Sequence, residues 1–131
     1  MKLNFTMTEA LRSDTAKRLG INNMPTDSKI LDNILELYIN IMQPLREYVG
    51  RKIFINSLYR CPKLNEKVGG KPNSQHLEGK ACDFVIDGLT IDQGVQAVLK
   101  SGVPYDQLIH EGTWIHVSFD KKRNRRQYFK V

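Results

Sequence analysis

The hydrophobic residues of this chain follow a helical period in the first third and alternate with polar residues further along. One aliphatic set steps by three or four residues: Ile30, Ile34, Leu37, Ile41 and Leu45. This spacing predicts a long amphipathic helix with its stripe in the core, kinked or restarted at Pro44 before Gly50. An earlier helix is predicted over residues 7–18, because Thr6 begins a capping box and Gly20 favours a helix end.

Short runs rich in β-branched and aromatic residues predict strands at Ile53–Ser57, Ala81–Ile86, 106–111 and 114–119. A last extended piece, 127–131, is expected to pair back across a basic turn. Further helices are predicted after Pro62, ending at Gly69-Gly70, and from Thr90 to about Lys100. Helices collected beside a mostly antiparallel sheet define an α+β fold. With 131 residues and no linker or repeat, one domain covering 1–131 is expected.

Alternation within two strands brings polar side chains to the face opposite the core. In Ala81–Ile86, the apolar Cys82, Phe84 and Ile86 share one face, so Asp83 points the other way. In 114–119, the same argument turns His116 away from the core.

A third polar residue, His76, lies in the glycine-containing loop 71–80. Two neutral imidazoles and one carboxylate leave a coordination position for water, as in catalytic zinc sites. We therefore predict that His76, Asp83 and His116 bind Zn²⁺, although manganese or cobalt could occupy the same ligands.

A predicted hairpin supplies a candidate base. Glu111 and Trp114 flank Gly112-Thr113, a pair suited to a two-residue turn. Glu111 then lies opposite Trp114 on the face of His116, about 7–8 Å away as a diagonal neighbour, so its carboxylate could deprotonate a metal-activated water. Arg60 could bind a substrate carboxylate, polarise a scissile carbonyl, or form a structural ion pair.

Charge and cysteine content constrain the function less than the candidate ligands do. The net charge is +6, and the basic residues concentrate in 120–130. Segment 121–126 could bind an anionic envelope polymer or form a solvated turn. Nucleic-acid binding through this segment ranks below the other functions, since only Tyr128 and Phe129 accompany the patch. Cys61 and Cys82 are expected to be buried thiols. Neither a signal peptide nor a membrane span is predicted.

The pattern Ser74-x-His76-x-x-Gly79-x-Ala81-x-Asp83, with a later Trp114-x-His116, resembles the M15 peptidases, zinc enzymes that cut cell-wall peptides. Segment 57–60 looks like an upstream part of the same domain. The resemblance is greatest to small bacteriophage and prophage members.

The resemblance implies the fold that D-alanyl-D-alanine peptidases share with the hedgehog signalling domain. It also implies zinc on the three ligands, Arg60 as a substrate or oxyanion group, and a hydrolase of peptidoglycan stem peptides, released to the wall as a phage lysis or virion enzyme. We expect the protein to be a monomer. The residues expected to contact substrate are Ser57, Tyr59, Ser74, Gln75 and Trp114.

The sequence departs from the family pattern at Thr113, three residues before the last histidine, where well-known members carry the catalytic carboxylate. Glu111 is the nearest replacement. The threonine keeps open the hypothesis of a non-catalytic zinc-containing module that binds cell wall or protein. Within the peptidase hypothesis, the shape of the pocket decides between an endopeptidase cutting between L-alanine and D-glutamate and a D-alanyl-D-alanine carboxypeptidase.

Overall fold

The computed structural model describes residues 2–131 and shows six α-helices around one five-stranded sheet. The helices are α1 (Met7–Leu11), α2 (Asp14–Leu19), α3 (Ser28–Leu37), α4 (Gln43–Val49), α5 (Pro62–Lys67) and α6 (Ile91–Ser101). The strands are β1 (Ile53–Ser57), β2 (Ala81–Ile86), β3 (Gln107–His110), β4 (Ile115–Ser118) and β5 (Gln127–Lys130). A π-helical turn, Tyr38–Met42, and a 3₁₀ turn, Gln75–Glu78, complete the regular elements.

The helix predicted over residues 7–18 is wrong as a single element. The backbone of Arg12 is extended, with ψ of 135°, and separates α1 from α2. Ser13 starts α2 because its side chain accepts a hydrogen bond from the backbone N–H of Ala16. A local cap therefore outcompetes continuation of the first helix. The predicted end at Gly20 is confirmed, in the left-handed conformation.

Pro44 interrupts the regular hydrogen bonding of the long helix. Proline has no backbone N–H to donate, so the i→i−4 ladder cannot continue unbroken through it. The chain widens just before this point, and the N–H of Gln43 bonds to the carbonyl of Tyr38, five residues back. The apolar stripe remains aligned across the π-helical turn, so Ile34, Ile41 and Leu45 are all fully buried.

The sheet has the strand order β1-β2-β4-β3-β5. Every neighbouring pair is antiparallel except β3 and β5, which run parallel. The mostly antiparallel α+β fold is thus confirmed, as is the pairing of the last segment back onto the sheet.

One face of the sheet closes the core beneath the helices, and the other lines an open groove. Cys82, Phe84 and Ile86 of β2 are buried in the core, as predicted from alternation. Cys61 and Cys82 are free and buried. Among residues 2–131, no helix is long and apolar enough to cross a membrane.

Candidate metal centre

Three side chains converge on the groove face of the sheet. His76, Asp83 and His116 each offer one ligand atom, and these atoms all lie within 4.8 Å of one another. Asp83 lies between the two rings. Its Oδ1 is 2.8 Å from His116 Nδ1, and its Oδ2 is 3.3 Å from His76 Nε2.

Strand register positions two of these residues. Asp83 of β2 pairs with His116 of β4 in the antiparallel ladder. Directly paired residues on one face have Cβ atoms about 4.5–5.5 Å apart, which brings a carboxylate and an imidazole into contact without any loop. The sheet thus holds two of the three candidate ligands rigidly.

His76 reaches the same point from the 3₁₀ turn. Ser74 begins that turn by accepting a hydrogen bond from the backbone N–H of His76. Gly79 ends it with a φ of 72°, and a Cβ there would lie within 3.0 Å of Ile34 and Ile30 on α3. Glycine therefore provides both the left-handed backbone and the close approach to the helix.

The hydrogen bonds of His76 favour a metal ligand. Its Nδ1 lies 2.7 Å from the carbonyl oxygen of Leu58, which makes Nδ1–H the donor. The lone pair is then on Nε2, which is buried and has no hydrogen-bond partner among the described residues. Metal-bound histidines characteristically donate their other ring N–H to a carbonyl or carboxylate, so a divalent cation would satisfy an otherwise costly buried atom.

The electrostatics of Asp83 point the same way. Burial alone would raise the pKa of Asp83, but the hydrogen bond from His116 and the close approach of the two imidazole rings outweigh burial and hold this pKa well below its usual range. The carboxylate is therefore ionised at neutral pH and balances part of a cation's charge.

A groove of about 640 Å³ runs over the three ligands. Five of the remaining predicted site residues line it: Arg60, Ser74, Gln75, Glu111 and Trp114. Ser57 instead lines an adjoining hollow of about 340 Å³ that shares Arg60 with the groove. Tyr59 does not line the groove, because its side chain is 4% exposed and packs in the core.

Arg60 is held at the junction of these two spaces. Its Nη1 donates to Asn65 Oδ1 at 3.0 Å, and its Nε donates to Ser57 Oγ at 3.3 Å. Its Nη2 lies 3.7 Å from Asp83 Oδ2. The guanidinium is thus a positioned positive charge beside the candidate metal centre, as well as an ion-pair partner.

Glu111 directly follows β3 and lines the groove. Its backbone N–H donates to the carbonyl of Trp114, and Ile109, two residues earlier, pairs with His116. The predicted register is therefore present, and the φ of 92° at Gly112 suits the first position of the predicted turn. His110 faces the other way, with its Nε2 2.9 Å from Asp92.

One part of the groove wall was not predicted. Asp106 is 2% exposed, and its carboxylate accepts hydrogen bonds from both Arg125 and Gln75. The hydrogen bond from Arg125 is the largest cause that lowers the pKa of Asp106, to about 2. The only sequence signal was the basic segment 121–126, in which Arg125 looked no different from its exposed neighbours.

Comparison with known proteins agrees with this geometry. Residues 3–118 match the family model described as Peptidase M15, so the chain belongs to the M15 peptidase family. A search of curated proteins gave no match. Family membership indicates a peptidase, hence a hydrolase, in a family whose members are generally metal-dependent.

Proposed function

We propose that this protein is a zinc-dependent peptidase that cleaves peptidoglycan stem peptides. His76, Asp83 and His116 would hold the ion. The observation that carries the proposal is the buried Nε2 of His76, which lacks a hydrogen-bond partner among the described residues and faces an ionised carboxylate in an open groove. A structural histidine in a closed core would be expected to have that nitrogen satisfied.

The side chains around the triad supply the other parts of amide hydrolysis. Bound zinc would polarise the scissile carbonyl and lower the pKa of water to about 7. Glu111 would accept a proton on its carboxylate and deliver it to the leaving amine. Arg60 would stabilise negative charge on the carbonyl oxygen, since its guanidinium is fixed by Asn65 and Ser57.

The remaining predicted residues would bind substrate. Trp114 and Gln75 line the groove, and Ser74 fixes the turn that carries His76. Ser57 would contact the chain in the adjoining hollow. Buried Tyr59 would act only by supporting the backbone beside Arg60.

The shape of the groove supports endopeptidase rather than carboxypeptidase cleavage. Arg60 lines both the groove and the hollow formed by α2, β1 and α5, which is lined by Ser13, Thr15 and Asn56 among others. A substrate chain could therefore extend on both sides of the metal ligands. A carboxypeptidase needs a closed end that recognises the terminal residue. We propose cleavage within crosslinked wall, in the setting of phage lysis, with exposed residues of 121–126 contacting anionic polymers.

Mass spectrometry of fragments released from purified sacculi tests this proposal. Zinc-loaded protein should release fragments with a new D-glutamate amino terminus, and chelator treatment should abolish the release. Release of free D-alanine would instead indicate a carboxypeptidase. No release from several wall types, with zinc shown to be bound, would contradict peptidase action and favour the binding-module hypothesis.

A further inference from the structure

The last segment of the chain, residues 125–131, forms one wall of the groove. Strand β5 pairs in parallel with β3, which sets Phe129 beside Ile109, and Ile109 pairs in turn with His116. Phe129 and Val131 therefore line the same groove as the metal ligands. This wall lies beyond the residues 3–118 that match the family model, so family membership assigns no role to it.

Arg125 is fixed at the rim of this wall by a buried carboxylate. Asp106 Oδ1 accepts hydrogen bonds from the backbone N–H of Arg125 at 2.8 Å and from its Nε at 2.9 Å. Asp106 Oδ2 accepts from Arg125 Nη2 at 2.9 Å and from Gln75 Nε2 at 3.0 Å. One carboxylate thus joins the guanidinium to the residue that precedes His76.

This arrangement leaves a second edge of the guanidinium available. Within residues 2–131, Nη1 of Arg125 makes no hydrogen bond or ion pair, and the side chain is 44% exposed along the groove. Arginine binds carboxylates through paired N–H groups, and a guanidinium already held on one edge loses less rotamer freedom on binding. Ile109, Trp114 and Phe129 add apolar surface to the same groove.

We propose that Arg125 binds a carboxylate of the peptide substrate and is a specificity-determining residue of the groove. This inference rests on the proposed function. A stem peptide has two candidate carboxylates, the α-carboxylate of γ-linked D-glutamate and the terminal carboxylate of D-alanine. Both have the chemistry that Arg125 recognises, so the experiment must distinguish them.

The test compares R125Q with R123Q in the zinc-loaded full chain. Arg123 is exposed and does not line the groove, so R123Q removes the same charge from the same segment. The substrates are a synthetic stem pentapeptide and two analogues, each with one of the carboxylates converted to a carboxamide. We expect R125Q to raise KM for the parent peptide about 10- to 100-fold, with kcat little changed. R123Q should leave both unchanged, because these synthetic peptides carry none of the anionic polymer that exposed residues of 121–126 are proposed to contact.

Amidating the recognised carboxylate should raise KM of the wild type by a similar factor, and R125Q should then cause no further increase on that analogue. If R125Q raises KM equally for all three peptides, or for none, the inference is wrong, and Arg125 only anchors β5. An equal increase in KM for all three peptides, together with a lower melting temperature of R125Q, would also overturn the inference. If the wild type cleaves no peptide, the proposed function is wrong and this inference falls with it.

Discussion

Zinc should stabilise this protein through His116, and the size of the effect can be worked out. Unfolding a chain of 131 residues changes the entropy by about 0.28 kcal/mol/K, at about 2.1 cal/mol/K per residue. Zinc at about 100 times its dissociation constant stabilises the folded state by about 2.7 kcal/mol. The melting temperature should therefore rise by about 10 °C when zinc is added to metal-free protein.

The variant H116A removes one of the three ligands. If this weakens zinc binding about 100-fold, the same zinc concentration stabilises the protein by only about 0.4 kcal/mol, which corresponds to about 1.5 °C. H110A is the matched control, because His110 is the pairing neighbour of Ile115 on the adjacent strand but faces away from the groove and contacts Asp92.

Scanning calorimetry of metal-free and zinc-loaded samples measures these shifts. H110A is expected to melt below the wild type in both states, because a buried hydrogen-bonded ring is lost, but to keep a zinc shift of about 10 °C. A full zinc shift in H116A, or its loss in H110A, would refute the assignment of the metal centre.

Three further predictions concern the groove. Glu111→Gln should lower kcat on sacculi by about 10²- to 10⁴-fold with the zinc-induced melting shift intact, and unchanged turnover would remove Glu111 as the base. The folded-state pKa of Asp106, about 2, lies below the usual value of about 3.9. Its ionisation therefore contributes stability that is present above about pH 4 and is lost as the pH falls through about 2, so the melting temperatures of wild type and D106N should converge over that range. A difference independent of pH would contradict this linkage. Finally, a Cβ at Gly70 would lie 2.6 Å from Arg60 Nη1 and would also overlap Asn65, so G70A should displace the guanidinium and lower kcat/KM about tenfold while zinc binding persists. Wild-type kcat/KM in G70A would exclude a role for the position of Arg60.

Sequence patterns predicted most of the fold because helix caps are local interactions and because side chains alternate regularly between the two faces of a strand. The bounds of Ile53–Ser57 and Ala81–Ile86 are confirmed, and the second strand ends at the turn residues Asp87-Gly88. The error at residues 7–18 arose from two competing local signals. The helix-favouring signal continues through Arg12, while the Ser13 side chain offers a second helix start, and only the packed structure decides between them.

The candidate ligands Asp83 and His116 could be placed in advance because a strand's period of two fixes which face a side chain occupies. The environment of His76 could not be predicted from the sequence. Its Nδ1 depends on the carbonyl of Leu58, 18 residues away in sequence, and this contact sets which ring nitrogen is free. The buried, unpartnered Nε2 is the strongest physical support for a metal among the described residues, and it emerges only from tertiary structure.

The C-terminal wall shows why charge patterning alone misses part of the site. In sequence, Arg125 is one of several cations in a polar turn, and no hydrophobic periodicity in that segment distinguishes one cation from another. What separates it is the buried carboxylate of Asp106, immediately before β3, which pairs with Arg125, 19 residues later in the chain. Because the same carboxylate also holds Gln75, a change at Arg125 reaches the turn that carries His76 through a single shared acceptor. The proposed carboxylate contact of Arg125 and the turn that carries His76 therefore share one acceptor, Asp106. For this reason the R125Q experiment must separate a loss of carboxylate recognition from a uniform loss of binding.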